Sequence, residues 1–226
     1  MKEKKIDTKK MVGIAIFAAL AFVVALVCQV IPPVAGFLSL DAKDAIISIA
    51  AFIYGPVSAI IISFIAAFVE LVTISTTGWY GFVMNFASSA VFSFTAAIIY
   101  KKFRSINGAL VGYISAIAAT TSVMLLLNIF VTPLYMQQNG IPLDSAGVIA
   151  MIPKILLPFN FAKSLLNSAI AMLLYKPLSS ALRRTGLVLG KKSGMKFNKT
   201  TVLILIVGAV CLAAAVTILM LIPPSA

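Results

Sequence analysis

Stretches of roughly twenty apolar residues recur along the chain, and a helix of that length, rising 1.5 Å per residue, matches a hydrocarbon core of about 30 Å. Over 226 residues, 62% of the side chains are hydrophobic and 11% charged. An ordinary soluble domain runs nearer half apolar and a quarter charged, so a soluble core is excluded. The expected fold class is all-α, a polytopic membrane helix bundle.

The apolar pattern predicts spans at 11–31, 44–54, 57–73, 82–100, 108–131, 154–182 and 201–222. Residues 44–73 also read as one helix interrupted at Gly55-Pro56, where proline removes a backbone donor and clashes with the preceding turn. Basic residues decide between the two. With a turn there and the N-terminus inside, Lys2, Lys4, Lys5, Lys9, Lys10, Lys101, Lys102 and Arg104 lie inside. So do Lys176, Arg183, Arg184, Lys191, Lys192, Lys196 and Lys199, which makes fifteen of the eighteen basic residues. The positive-inside rule favours this arrangement and rejects the fused span. The formal charge of +12 therefore reports topology rather than a nucleic-acid surface.

The organisation that follows is a cytoplasmic basic tail (1–10), a six-helix membrane domain (11–182), a basic cytoplasmic linker (183–200) and an accessory seventh transmembrane helix (201–222). The run after "MKEKK" lacks a convincing cleavage site and reads as the first span, not a signal peptide. Cys28 and Cys211 both fall inside apolar segments, which argues against a disulfide framework.

Three lysines and four carboxylates remain on the outer side: Lys43, Lys154, Lys163, Asp41, Asp44, Glu70 and Asp144. Asp41, Lys43, Lys154 and Asp144 read equally well as wet loop residues. Glu70 and Lys163 are harder to dismiss, because ionisable groups at membrane depth are costly and mark substrate or ion sites. At 100° per residue Asn160, Lys163 and Asn167 share one helix face with Ser164. Thr121, Asn128 and Thr132 repeat the pattern in the fifth span. Thr121 and Asn167 are read as helix–helix glue. Asn128, Asn160 and Lys163 point to a ligand, since amides offer a donor and an acceptor together and lysine adds donors. That set suits the edge of a flat heterocycle. Between them lies "ISTTGWYGFVMNF" (74–86), whose glycines permit close approach and whose Trp79 and Tyr80 offer stacking area, or else form an interfacial belt. Asn85 belongs to the same cluster.

The chain has no histidine, no Walker-type loop, no G-x-S-x-G elbow and no cysteine pair at metal spacing. It is expected to bind without reacting, as a non-enzyme with no cofactor and no metal. In the first span Ala15-x-x-x-Ala19, extended by Ala21 and Ala25, forms a small-residue run that lets another helix approach.

"LDAKDAIISIAAFIYGP" (40–56), "ELVTISTTGWYGFVMNFASS" (70–89), "LNIFVTPLYM" (127–136) and "LPFNFAKSLLN" (157–167), with the N-terminal Ala-x-x-x-Ala, resemble one known family. It is the substrate-binding S components of energy-coupling factor (ECF) vitamin transporters, in particular the riboflavin-specific type. The resemblance covers roughly residues 8–190. It implies a six-helix bundle in a bacterial cell membrane with a flavin pocket near the outer face. Asn128, Asn160 and Lys163 would then meet the isoalloxazine edge, and Asp41, Asp44, Thr77 and Gly78 the ribityl hydroxyls. Riboflavin would be the transported ligand. The implied partners are a transmembrane coupling subunit, docked on the Ala15–Ala19 face of the first helix, and two ATPases. The segment after residue 200 departs from the family's six spans.

Two alternatives stay open within the same class: another vitamin, or a flavin nucleotide. A membrane-embedded lipid-processing enzyme using Glu70 or Asp44 as base, and an assembly protein whose polar stripes only join helices, are the readings outside it.

Overall fold

The computed structural model describes residues 8–184 and 199–222. Most of the basic tail (1–7) and most of the linker (185–198) fall outside the described residues.

The described chain is helical: α1 (Thr8–Cys28), α2 (Lys43–Tyr54), α3 (Pro56–Thr73), α4 (Gly78–Lys102), α5 (Ile106–Gln138), α6 (Ser145–Met151), a π-helical turn (Ile152–Leu156), α7 (Leu157–Arg184) and α8 (Lys199–Leu221). Six of its helical stretches are long and apolar enough to cross a membrane, with α6, the π turn and α7 acting as one. The protein is a multi-pass membrane bundle. The sequence predicts seven spans, and the second of them is the exception. α2 has 12 residues, about 18 Å of helix, too short to cross a core of about 30 Å. It is buried over its first nine residues, packed among α1, α3, α4 and α7. The stretch 29–42 completes that pass by folding back into the bundle.

Local chemistry sets the boundaries. Gly55 takes φ +100° and Pro56 opens α3, so the predicted turn forms where glycine tolerates that backbone and proline needs no donor. α5 continues past the predicted end at 131 and carries Pro133 inside it. Proline cannot donate to the carbonyl four residues back, and the Ser145 hydroxyl donates to Ile129 O instead, at 3.1 Å. α6 was not anticipated by the apolar pattern. Its start is set by Asp144, whose Oδ1 accepts from Gly147 N at 2.8 Å. The π turn sits between Pro153 and Pro158, where two missing donors shift the hydrogen-bond register and Leu157 N reaches Ile152 O.

The helices alternate in direction. Gln29, just past α1, donates its Nε2 to Ile74 O, just past α3, so these two helices end at the same level. Gly13 near the start of α1 lies against Tyr54 at the end of α2, where an added Cβ would fall 2.1 Å from the tyrosine Oη. α8 runs antiparallel to α7: Gly208 lies on Leu173, and Ile222 clusters with Leu156 and Phe159. The bundle therefore has one end carrying the close of α1, α3, α5 and α8, and an opposite end carrying their starts.

Candidate functional site

At the first of these ends α4, α5 and α7 splay around a cleft of about 700 Å³, counting its open mouth. That lies within the roughly 300–1,000 Å³ typical of small-molecule sites. A hairpin turn at 33–38 closes one wall. Val34 and Leu38 exchange backbone hydrogen bonds at 2.9 and 3.0 Å, and Ala35 and Gly36 turn the chain with positive φ. Phe37, Leu38 and Ser39 then face the cleft.

α4 contributes a helical stripe, Thr77 at its N-cap followed by Gly81, Met84, Asn85 and Ser88. From α5 come Met124, Asn128, Thr132 and Tyr135, and from α7 Phe159, Asn160 and Lys163. Tyr80 and Tyr135 face each other edge to face across the mouth, with centroids 6.2 Å apart. Of the sequence-nominated residues, Thr77, Tyr80, Asn85, Asn128, Asn160 and Lys163 are thus brought together.

The amides are held in place by their own helices. Asn128 Nδ2 donates to Met124 O at 2.7 Å and its Oδ1 accepts from Thr132 Oγ1 at 2.8 Å. Asn160 Nδ2 donates to Leu156 O at 2.8 Å. Each amide retains hydrogen-bonding capacity beyond these bonds, since a primary amide offers two donors and two lone pairs. Thr121 shares the Asn128 stripe by spacing, but its buried hydroxyl has no hydrogen-bond partner, so it joins no neighbouring helix.

Beside and beneath the cleft lies a buried ion network. Lys43 Nζ donates to both Glu70 carboxylate oxygens, at 2.8 and 2.7 Å. Glu70 Oε2 also accepts from Asn85 Nδ2 at 3.0 Å, which ties the network to the cleft wall. Lys163 Nζ pairs with Asp41 Oδ2 at 2.8 Å. Burial alone raises the Asp41 carboxyl, but the Lys163 and Lys43 ammoniums outweigh it and hold it below the ordinary carboxylate value. Ser89 donates to Asp44. The wet-loop reading of Asp41 and Lys43 is therefore overturned: Lys43 is only 1% exposed. The reason is the fold-back of residues 29–42, which carries this segment into the bundle.

Asn167 does join helices, in a specific way. α2 begins after Ala42, which has no side chain able to cap it. Asn167 from α7 accepts from Ala45 N at 2.8 Å and donates to Asp41 O at 2.9 Å, capping α2 from outside its own segment.

The remaining nominated residues lie elsewhere. Asp41 lines a second, adjoining cleft; Asp44 lines neither cleft. Gly78 and Trp79 line neither as well, and Trp79 is 68% exposed, its ring edge-on to Phe82. The hairpin residues Phe37 and Leu38 were missed, and nothing local in the sequence marks them. Tyr135 was also missed, although it lies seven residues after Asn128, on the same helix face.

A family profile described as "ECF transporter, substrate-specific component" matches residues 9–175. The chain belongs to that family. This S component is 32% identical to riboflavin transporter RibU of Staphylococcus aureus (strain TCH60) over 179 residues, 79% of this chain and 94% of that protein. It is 29% identical to riboflavin transporter FmnP of Bacillus subtilis (strain 168) over 172 residues, 74% of this chain and 90% of that one. A solved structure of the S component of a bacterial ECF transporter superposes with a TM-score of 0.65 at 31% identity, covering 79% of this chain and all of that one. Members of this family are transport components rather than enzymes, and Glu70, the base of the lipid-enzyme alternative, is engaged by Lys43 and Asn85. α8 lies beyond the matched segment.

Proposed function

We propose that this S component captures riboflavin in the cleft at the outer face of a bacterial cell membrane. It then delivers the vitamin inward together with a transmembrane coupling subunit and two ATPases. The observation that carries this reading is the convergence of Asn128, Asn160 and Lys163 on one cleft that also presents Tyr80, Tyr135 and Phe159. An isoalloxazine ring offers flat faces for aromatic contact and an edge of carbonyls and an imide N–H, which is what amides and an ammonium complement. The riboflavin transporters among its relatives support the choice of ligand.

Docking to the coupling subunit is assigned to α1. Ala15 and Ala19 are exposed, whereas Phe17, Ala18, Ala21 and Ala25 are buried, so the small-residue run divides between an outward face and the bundle core. The N-terminus is assigned to the cytoplasm by the basic residues, and α8 as an accessory span then ends outside. Tags at the two termini should report opposite faces in whole cells.

The deciding experiment is purification in detergent without added flavin, followed by visible absorbance and titration of riboflavin fluorescence. A co-purified yellow flavin or saturable one-to-one quenching is expected. Folded protein that quenches neither riboflavin nor a phosphorylated flavin, yet binds another vitamin, would overturn the assignment.

A further inference from the structure

A second cleft opens beside the first, between the end of α1, the fold-back segment and the connection from α3 to α4. The two share Ser39, Thr77 and Asn85, so a ligand seated in one can extend into the other. Their linings differ in charge. The second presents hydroxyls and amides from Gln29, Ser75, Thr76 and Thr77, the carboxylates of Asp41 and Glu70, and no basic side chain. In the first cleft the basic side chain is Lys163, already paired with Asp41.

We propose that the second cleft receives the tail of the flavin, and that Asp41 and Glu70 make it selective for an uncharged polyhydroxyl chain, rejecting a phosphorylated one. The inference rests on the placement of the ring in the first cleft. Carboxylates with occupied but unsaturated lone pairs still accept hydrogen bonds from hydroxyls. A phosphate monoester instead brings roughly 1.5 to 2 negative charges at neutral pH and requires cations. Both nearby ammoniums are engaged: Lys43 with Glu70 at 2.7 Å, and Lys163 with Asp41 at 2.8 Å. Turning either toward a phosphate would strip a buried carboxylate of its partner, a costly exchange in a site closed from bulk water. Asp44, within the same network, adds negative charge and is met by the hydroxyl of Ser89.

The test compares three ligands on the full-length protein in detergent: riboflavin, riboflavin 5′-phosphate, and lumiflavin, which keeps the ring and lacks the tail. Riboflavin should bind about tenfold or more tighter than its phosphate ester, the scale set by one uncompensated, partly buried charge. Thr76 is exposed at the rim of the second cleft. Thr76→Lys should strengthen the phosphate ester about three- to tenfold and leave lumiflavin unchanged. Glu70→Gln should narrow the same ratio by removing a wall carboxylate. Because the readout is a ratio of two ligands on one sample, partial loss of folded protein cancels. A phosphate ester that binds wild-type protein as tightly as riboflavin overturns the selectivity. So does a ratio unmoved by both substitutions. Lumiflavin binding as tightly as riboflavin would remove the tail site while keeping the ring site. Failure of all three to bind folded protein would instead remove the flavin reading itself.

Discussion

At the cleft end, residues from α2, α3, α4 and α7 bring Asp41, Lys43, Asp44, Glu70 and Lys163 out of contact with water. At the opposite end the same helices meet through rings and small side chains. Phe52 stacks on Tyr100 at 4.2 Å, Tyr113 packs on Phe92 at 6.0 Å, and alanines of α1 to α4 fill the space between. Polar contacts there are few and neutral, such as Ser48 with Tyr113 at 3.2 Å. A buried ion pair contributes little net stability compared with apolar residues of the same volume, so its retention at one end only calls for another cause. Ligand recognition is that cause under the proposed function. The charges fix Asn85, Lys163 and the hairpin around a cleft, while the other end needs only close packing.

The largest effect should come from breaking the network on one side. Lys43→Met leaves the Glu70 carboxylate without its buried ammonium, and should cost about 3–5 kcal/mol in unfolding measurements in detergent. Lys43→Met combined with Glu70→Leu should recover most of that stability while flavin affinity stays low. A neutral single substitution would show that these charges reach water and that the two ends do not differ as described.

Gly13→Leu probes the other end, because even a Cβ there would strike the Tyr54 ring. Over-packing should cost about 1–3 kcal/mol of stability. Flavin affinity of the folded fraction should not change. Weakened binding would mean that the packed end and the cleft are coupled.

Asn128→Ala is the counterpart at the cleft. It removes an amide bonded only within α5, to Met124 and Thr132, so unfolding should change little. Riboflavin binding should weaken by about 1–3 kcal/mol if the substitution leaves a buried ligand group unpaired. Lys163→Ala should lower both affinity and stability, since it also strands Asp41. Fluorescence titration and thermal unfolding of the same samples separate the two patterns, and an unchanged affinity in both variants would refute the placement of the ring.

How much of this could be read from the sequence follows the distance between interacting residues. The face shared by Asn160, Lys163 and Asn167 is fixed by helical period alone, as is the glycine–proline turn between α2 and α3. The stripe Thr77, Gly81, Asn85 and Ser88 in α4 is equally local, and the first and third of these were found. The pairing of Lys43 with Glu70 spans 27 residues, and that of Asp41 with Lys163 spans 122. No local pattern marks either. The role of Asn167 shows the same limit: its polarity was evident, but that it caps α2 depends on where Ala42 falls in space. α6 was hidden for a different reason. It is seven residues long and starts after a loop, too short for an apolar period to emerge.

Trp79 gives the smallest predicted effect. As the lone tryptophan, next to Tyr80 and between two glycines, it reads as a stacking residue in the sequence. Yet successive helix positions point about 100° apart, and the turn that aims Tyr80 at Tyr135 sends Trp79 away from the cleft. Its ring rests edge-on against Phe82, whose neighbours Phe64 and Phe86 continue an apolar face on α3 and α4. Amphipathic aromatics favour the membrane–water boundary, so anchoring α4 there is sufficient reason for the residue. Trp79→Ala should shift riboflavin affinity by no more than about 0.5 kcal/mol, the usual range for an exposed position, whereas Tyr80→Ala should weaken it measurably. A large loss from Trp79→Ala would mean that the segment 74–78 reorganises over the bound ligand, bringing the indole into a cleft from which it is turned away here.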